Sequence, residues 1–347
     1  MISYFKKLAS YIFIKFLEQD NISKVLQHAI RKGALNLPKI NNDLSPYATT
    51  SAQKRGDSAN ENAIFISSRF RSGSTLLWNL FRQSGVCTSF YEPFNERQWF
   101  NRELRGVEVD NSHRGVDDYW SEYDNLAHLN DLYDEEWIRS DLLMTEQSWL
   151  PKMKAYIESL ISAAPLRPVL QFNRIDFRLP WIKHNFPDAQ IIHLYRNPRD
   201  QWCSFLLDQK KMNKDDVQDT YVDGFYLDIW CNDLARYYPI LDMKHTPHPY
   251  QRFYYLWKLS YLHGLKYSNY SLSFEELTED PKKHISILLN KLNIQNVNVE
   301  KLSSIIQAPK SNRWKGYADD SWFKQHENIC EENLTLMLGK ISPTREE

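Results

Sequence analysis

The chain has 347 residues, of which 42% are hydrophobic and 25% charged, proportions typical of a soluble globular protein with a substantial core. Its formal net charge of −1 gives no overall basic field, so nucleic acid is not an expected partner. The four cysteines are far apart in the sequence, which argues against a disulfide framework and against a metal site. We therefore expect a cytoplasmic protein, in a reducing compartment, without a bound metal.

Residues 1–17 predict an amphipathic helix, because their apolar side chains follow one helical stripe and three lysines lie off it. No apolar run here reaches the ~20 residues that span a membrane. Two interpretations stay open: the helix packs against the body of the protein, or it lies on a membrane surface through its lysines and aromatic residues. The polar residues 41–62 then predict a linker. We expect residues 1–60 to form this N-terminal part and residues 61–347 the main domain.

The stretch AIFISSRFRSGSTLLWNL, residues 63–80, predicts a buried strand, a tight loop and a helix that stops before Gly85. Such a loop directs backbone N–H groups and the positive end of the helix at one point, which suits an anion. Arg71 adds a fork of donors that matches phosphate or sulfate. The usual nucleotide-hydrolase loop needs a glycine where Ser68 stands and a lysine where Ser74 stands. The loop therefore favours an anion shorter than a nucleoside triphosphate, and the alternative is an ordinary strand-to-helix turn.

A carboxylate follows this unit in the sequence Tyr91-Glu-Pro-Phe. Because Glu92 precedes a proline, we expect it in extended backbone at the end of a second strand, near the anion loop. The alternative is a surface glutamate at a turn. Residues 100–165 then predict a mainly helical, acidic segment. Its aromatic residues either belong to the core or stack on a sugar or aryl acceptor: Tyr119, Trp120, Tyr123, Tyr133 and Trp137.

Two further strand–helix units follow, with strands predicted over residues 168–173 and 190–195. After the second strand, Asn197 is typical of a helix N-cap, and the helix is expected to end near residue 211. Ser204 lies seven residues beyond the cap, about two turns, and so returns to the same face of the helix. Arg196 at the strand end and Ser204 on the helix can therefore hold one phosphate together.

Strands that alternate with helices predict an α/β fold, with a mainly parallel central sheet and helices on both faces. His193, inside a strand, is expected to be a core histidine. Ligands of such sheets bind beyond the carboxyl ends of the strands. We therefore expect four side chains that follow strands to gather on one edge: Arg71, Glu92, Arg174 and Arg196. Near the C-terminus, the basic loop 311–316 is either solvated or closes over a phosphate.

Several blocks, in this order, make residues 62–320 resemble the PAPS-dependent sulfotransferases, where PAPS is 3′-phosphoadenosine 5′-phosphosulfate. The run Arg71-Ser72-Gly73-Ser74-Thr75-Leu76 resembles the family's 5′-phosphosulfate loop. Residues 191–204 resemble its 3′-phosphate element, and Tyr91-Glu-Pro-Phe resembles a segment of the carbohydrate-type and bacterial branches. Phe274-Glu-Glu-Leu resembles a late segment of the family.

By this resemblance, the fold is P-loop-like with three layers, and the protein transfers a sulfuryl group from PAPS to a small-molecule, carbohydrate or lipid acceptor without a metal. The loop Arg71 to Leu76 would hold the 5′-phosphosulfate, and Arg71 would stabilise the charge of the leaving oxygen. Glu92 would be the base, because residues 171–174 lack the histidine of the cytosolic branch. The 3′-phosphate would be held by a second set: Arg196, Ser204, Arg313, Lys315 and Gly316.

Two other functions stay open beside this one. The first is a P-loop-type kinase of a small molecule, although the missing lysine and the missing glycine argue against it. The second is a non-catalytic nucleotide-binding protein, which an N-terminal membrane-surface helix would suit. Nothing in residues 100–165 distinguishes a sugar hydroxyl from a lipid, a phenol or a peptide tyrosine as the acceptor.

Overall fold

The computed structural model describes residues 63–111, 113, 115–307 and 312–341, which all belong to the compact unit Lys54–Glu347. The predicted helix 1–17 and linker 41–62 lie outside the described residues, as does Ser311. The division near residue 60 therefore stays a prediction. Within the described part of the chain, no helix has both the length and the apolar character that crossing a bilayer requires.

The strands are short and the helices differ widely in length. The strands are β1 (Ile64–Ser68), β2 (Cys87–Tyr91), β3 (Arg167–Phe172), β4 (Gln190–Tyr195) and β5 (Tyr270–Ser273). The helices are α1 (Ser74–Gln83), α2 (Leu129–Leu132), α3 (Pro151–Ala163), α4 (Leu179–Asn185), α5 (Pro198–Phe205), α6 (Val217–Thr220), α7 (Leu227–Leu234), α8 (Pro249–Tyr267), α9 (Phe274–Glu279), α10 (Pro281–Lys291), α11 (Val299–Ile305) and α12 (Asp320–Ile341). Short 3₁₀ helices cover Ser121–Tyr123, Glu135–Ile138, Asp176–Arg178, Pro239–Leu241 and Arg313–Gly316.

The strands form one sheet in the order β2-β3-β1-β4-β5, and each adjacent pair is parallel. Strand β1 is central: Ile64 pairs with Val169 of β3 on one side and with Gln190 of β4 on the other. The predicted parallel sheet is confirmed. Because β1 lies in the middle, the loop that follows it lies between the ends of β3 and β4, where ligands of open α/β sheets bind.

Both faces of the sheet are covered by helices, as predicted. Ile64 of β1 belongs to one buried cluster with Leu77 of α1 and Leu288 of α10, while Phe65 faces the other way and belongs to another cluster with Ile182 of α4. Successive residues of a strand point to opposite faces, so a strand buried on both sides is apolar throughout. The result is a three-layer α/β architecture, which matches the predicted fold class.

Helix α5 begins as predicted but ends earlier. The Asn197 side chain accepts hydrogen bonds from the backbone N–H groups of Arg199 and Asp200, as an N-cap does. The expected end near residue 211 is wrong, because α5 ends at Phe205. The side chain of Gln209 turns back and donates to the carbonyl of Cys203 at 2.6 Å, which satisfies a free acceptor of the last turn.

The segment 100–165 is not mainly helical, contrary to the prediction. Among the residues of this segment that the structure describes, only α3 is a regular helix beyond the single turn of α2 and two 3₁₀ helices. Tyrosine hydroxyls hold the irregular chain by donating to backbone carbonyls: Tyr123 to Tyr91, Tyr133 to Asn95, and Tyr156 to Pro93. Five aromatic residues of this segment belong to the core or pack against it, which favours a core role over stacking on an acceptor: Tyr119, Trp120, Tyr123, Tyr133 and Trp137. His193 is likewise buried, as predicted, with Gly264 of α8 packed against its ring.

Replacing Phe65 by alanine should lower the free energy of unfolding by about 3–5 kcal/mol, because a large core side chain is removed and a cavity remains. Phe65 is fully buried and meets Phe172 and Phe186 edge to face, with ring centroids 6.1 and 5.4 Å apart. Urea unfolding followed by tryptophan fluorescence measures the change. The control Leu336→Ala, at a 63% exposed position, should change stability by no more than about 0.5 kcal/mol. Equal losses in the two variants would contradict the placement of Phe65.

Candidate active site

The carboxyl ends of β1 to β4 bring the four predicted side chains to one edge of the sheet. Arg71 follows β1 and Arg196 follows β4, and the Arg196 Nη1 atom donates to the Arg71 carbonyl at 3.0 Å. Glu92 follows β2 and Arg174 follows β3, and Arg174 Nη1 lies 3.3 Å from Glu92 Oε2. The edge therefore holds one pair of like charges and one pair of opposite charges.

The loop between β1 and α1 depends on left-handed backbone. Arg71 has φ 65° and Gly73 has φ 94°. The Ser72 hydroxyl donates to the Arg69 carbonyl at 2.7 Å and closes the turn. Gly73 is the N-cap of α1, so the first N–H groups of that helix receive no side-chain cap. A Cβ atom at residue 73 would lie 2.2 Å from the ring of Phe274, so the loop passes too close to that ring for any side chain.

Arg71 connects this loop to α5. Its Nε atom donates to both the carbonyl and the hydroxyl of Ser204, each at 3.1 Å. Its Nη1 atom lies 3.8 Å from a carboxylate oxygen of Asp110, and its side chain is 28% exposed. Ser204, which we expected to share a phosphate with Arg196, therefore contacts Arg71 directly. The two predicted phosphate-binding elements form one continuous surface.

Arg196 is nearly buried, with its guanidinium carbon 5.0 Å from the centre of the Phe274 ring. Burial lowers the pKa of the Arg196 guanidinium, and the charges of Arg313 and Arg71 act in the same direction, against the carboxylates of Asp200 and Glu275. Its Nε atom is buried and has no hydrogen-bond partner within the described structure. A second cation beside Arg71, with an unused donor, favours a bound anion at this point.

The basic C-terminal loop lies against the start of α5. The two carboxylate oxygens of Asp200 accept hydrogen bonds from the backbone N–H groups of Asn312 and Trp314, both at 3.2 Å. Arg313, between them, is close enough to Arg196 to influence its pKa. Lys315 lies over the Trp314 ring, and the region around Gly316 is open. Of the three predicted closing residues, the structure therefore ties Arg313 to the site most directly.

Helix α12 anchors the same loop from the other side. Arg199, in the first turn of α5, makes two hydrogen bonds of 2.8 and 2.7 Å to the carboxylate of Glu327. Its guanidinium carbon lies 4.8 Å from the centre of the Trp314 ring. A bidentate arginine–carboxylate pair fixes orientation as well as distance. The loop is therefore held between α5 and α12 through contacts that no motif marks in the sequence.

Glu92 adopts left-handed backbone, with φ 37°, so the expectation of an extended residue before the proline is wrong. The Asn95 N–H group donates to the Glu92 carbonyl at 2.9 Å and closes a turn directly after β2. Residues other than glycine and asparagine rarely adopt positive φ, and such strain concentrates at functional positions. Arg71 and Glu92, the two predicted catalytic residues, are both in this region of φ.

The Glu92 carboxylate is 5% exposed and fully engaged. Asn173 Nδ2 donates to Oε1, and Asn95 Nδ2 donates to Oε2 at 2.7 Å. Burial raises the pKa of Glu92, and the guanidinium of Arg174 opposes that rise. A carboxylate with a raised pKa is a better proton acceptor near neutral pH. The partial burial that such a base needs is present.

Several contact residues of this edge carry no sequence signal. His113 Nε2 lies 3.3 Å from the hydroxyl of Thr75, and the other ring nitrogen is hydrogen bonded to Tyr119. Burial lowers the pKa of His113. The half-buried ring of Phe225 lies 5.8 Å from the Arg71 guanidinium carbon. Across the described ranges, no group of three or more His, Cys, Asp or Glu side chains is arranged to hold a metal ion.

The chain is similar to a family of known proteins. A family model described as "Sulfotransferase family" matches residues 63–297. A solved sulfotransferase domain from the curacin biosynthetic pathway is 16% identical over 79% of this chain and 96% of its own length, with a TM-score of 0.40. Sulfotransferase STF9 from Mycobacterium avium is 12% identical over 79% of this chain and 76% of its own, with a TM-score of 0.41. Mouse sulfotransferase SULT7A1 complexed with PAP is 12% identical over 79% of this chain and 84% of its own length, with a TM-score of 0.39. No curated protein matches the sequence.

Replacing Gly73 by alanine should lower the free energy of unfolding by more than about 1 kcal/mol, because the position needs positive φ and has no room beside Phe274. The control Gly339→Ala should act in the opposite direction, since alanine favours the helix by up to about 1 kcal/mol and nothing lies near Gly339 in α12. Urea unfolding of both variants measures the difference. A Gly73→Ala variant at least as stable as the wild type would mean that the loop tolerates a side chain.

Proposed function

The chain belongs to the sulfotransferase family, and from that premise we propose that it transfers a sulfuryl group from PAPS to a hydroxyl or amine of its acceptor. The observation that carries this proposal is the 3.0 Å hydrogen bond from the Arg196 guanidinium to the backbone carbonyl of Arg71, which joins the two basic residues at one edge of the sheet. Two basic residues in contact, one of them nearly buried, suit a ligand with several negative charges.

The residues fit the donor at both of its charged ends. Arg71 and the uncapped start of α1 would bind the 5′-phosphosulfate through Ser72, Gly73, Ser74, Thr75 and Leu76, with backbone N–H groups as the main donors. Arg196, with its unused Nε donor, would bind the 3′-phosphate together with Ser204. Arg313, Lys315 and Gly316 would close over that phosphate. The tie from Asp200 to the backbone around Arg313 supports this role.

The bound donor supplies an activated sulfuryl group, and the chain supplies charge and position. The Arg71 guanidinium would stabilise the negative charge that develops on the oxygen leaving sulfur, because a fixed cation needs no reorganisation during the reaction. Arginine keeps its proton, so this role is electrostatic. Glu92 would take the proton of the attacking hydroxyl. Its burial and raised pKa support that assignment.

We place the protein in the carbohydrate-type or bacterial branch of the family. Asn173 stands in the strand-end segment where the cytosolic branch has a histidine, and it donates to Glu92. The acceptor would be a small molecule, a carbohydrate or a lipid. Four unpaired cysteines, all buried, are compatible with a cytoplasmic location. Membrane contact through residues 1–17 and a catalytic domain over residues 61–347 remain predictions from the sequence.

Adenosine 3′,5′-bisphosphate should stabilise the protein by about 2.7 kcal/mol at a hundred times its Kd, measured as a thermal shift, because it binds the folded chain alone. ATP with magnesium is the comparison. Protection by ATP with magnesium and none by the bisphosphate would favour a kinase. Protection by neither would leave a protein without a nucleotide site at this edge.

In Arg196→Ala the bisphosphate should bind about 10- to 100-fold more weakly, since a charged partner is lost. The control Arg236→Ala, which removes an arginine paired with Asp141 and Asp233, should leave binding unchanged.

Glu92→Gln should reduce turnover of PAPS by about 10²- to 10⁴-fold, because the amide cannot accept the acceptor proton. Production of the bisphosphate from PAPS, with a panel of phenols, alcohols and sugars as acceptors, measures turnover. The Kd of the bisphosphate, measured by calorimetry, should stay within about twofold of the wild-type value. Turnover equal to wild type with any accepted compound would exclude Glu92 as the base.

A further inference from the structure

Arg174 bridges two carboxylates at the candidate active site. Its Nη1 atom lies 3.3 Å from Glu92 Oε2, and its Nη2 atom lies 2.7 Å from Glu96 Oε2. The Arg174 side chain is 1% exposed, whereas that of Glu96 is 41% exposed. The bridge therefore joins a buried carboxylate to a partly solvated one through a buried cation.

The rings around Arg174 keep its guanidinium away from water. Its guanidinium carbon lies 5.0 Å from the centre of the Phe70 ring and 5.4 Å from that of Tyr226. A buried cation that loses its counter-ion is strongly destabilising. If Glu92 were the sole counter-ion, its protonation during the reaction would leave Arg174 unpaired in a poorly solvated place. The shorter contact, to Glu96, avoids that state.

We propose that Glu96 is a positioning residue of sulfuryl transfer, which keeps Arg174 neutralised while Glu92 carries the proton of the acceptor. The inference rests on the proposed role of Glu92 as base. In the step, the hydroxyl proton moves to a Glu92 carboxylate oxygen and the hydroxyl oxygen forms a bond to sulfur. The bond from sulfur to the bridging oxygen breaks, and its electron pair stays on the phosphate. Arg174 keeps its shorter contact to Glu96 and loses only the attraction of the negative charge on Glu92.

Arg174 and Glu96 are the charged groups that respond when Glu92 is protonated, because its other neighbours are neutral. The other groups that face Glu92 are the amides of Asn95 and Asn173 and the phenols of the core. Burial raises the pKa of each of these phenols, which keeps them neutral near neutral pH: Tyr91, Tyr119 and Tyr123. Glu96 raises the pKa of Glu92 by charge repulsion, while Arg174 lowers it. Removal of the negative charge at residue 96 should therefore lower the pKa of Glu92.

The test is the titration of Glu92 in the full chain with adenosine 3′,5′-bisphosphate bound. Infrared difference spectra over pH give the carboxylic acid band that Glu92→Gln removes. In Glu96→Gln this band should titrate at a pH lower by about 1, because Arg174 then acts on Glu92 alone. Turnover of PAPS should fall at every pH above that titration, since Glu92 becomes a weaker base. The matched control is Glu331→Gln, where a carboxylate of equal exposure, 41%, pairs with Lys258 at 2.8 Å far from this bridge. Glu331→Gln should change neither the pH at which the Glu92 band titrates nor the turnover of PAPS.

The conservative variant Glu96→Asp keeps the charge and should restore most of the wild-type titration. A Glu92 band that titrates at the wild-type pH or higher in Glu96→Gln would overturn the inference, because a merely structural glutamate gives that result. A different result would contradict the proposed role of Glu92 as base: in that case Glu92→Gln itself would retain full turnover of PAPS.

Discussion

The guanidinium of Arg196 is held against the loop that carries a second cation, Arg71, and much of the surrounding structure serves to keep it there. Arg196 donates to the carbonyl of Arg71, and the Phe274 ring packs on Arg196 and fills the space beside the glycine of the loop. Asp200 and Glu275 supply nearby negative charge. Repulsion between the two cations is thus tolerated in the folded chain, and it becomes useful when a polyanion binds.

The other half of the same sheet edge has the opposite character. At the ends of β2 and β3, Glu92 is fixed by amides and by one arginine. A chain of hydrogen bonds runs from Ser68 through Asn173 to Glu92, and so ties the carboxylate to the end of the central strand. The half of the edge with Arg71 and Arg196 and the half with Glu92 and Arg174 are therefore set at a fixed separation by strand order. Each half keeps its own local electrostatics.

The sequence predicted the strands β1 to β4, the loop after β1 and the cap of α5, because these follow from local pattern and from turn and cap chemistry. Strand β4 was predicted with the bounds that it has, Gln190–Tyr195. The left-handed backbone of Glu92 was not predicted, since the preference imposed by Pro93 is outweighed by a turn closed through Asn95. Contacts such as that of His113 with Thr75 depend on an irregular segment held by tertiary hydrogen bonds, and no periodicity marks such a segment.

Strand β1 is synthesised early, but the two strands that pair with it follow about a hundred residues later. Its partners on either side, β3 and β4, begin at residues 167 and 190, so the apolar face of Ile64 and Phe65 has no sheet neighbour while the intervening chain is still being synthesised. Pairing over such long separations is slow, because loop closure costs entropy before contacts form. An unpaired apolar strand is also a site of aggregation. The sheet around β1 can therefore close only when the chain has been synthesised through the end of β4 at Tyr195.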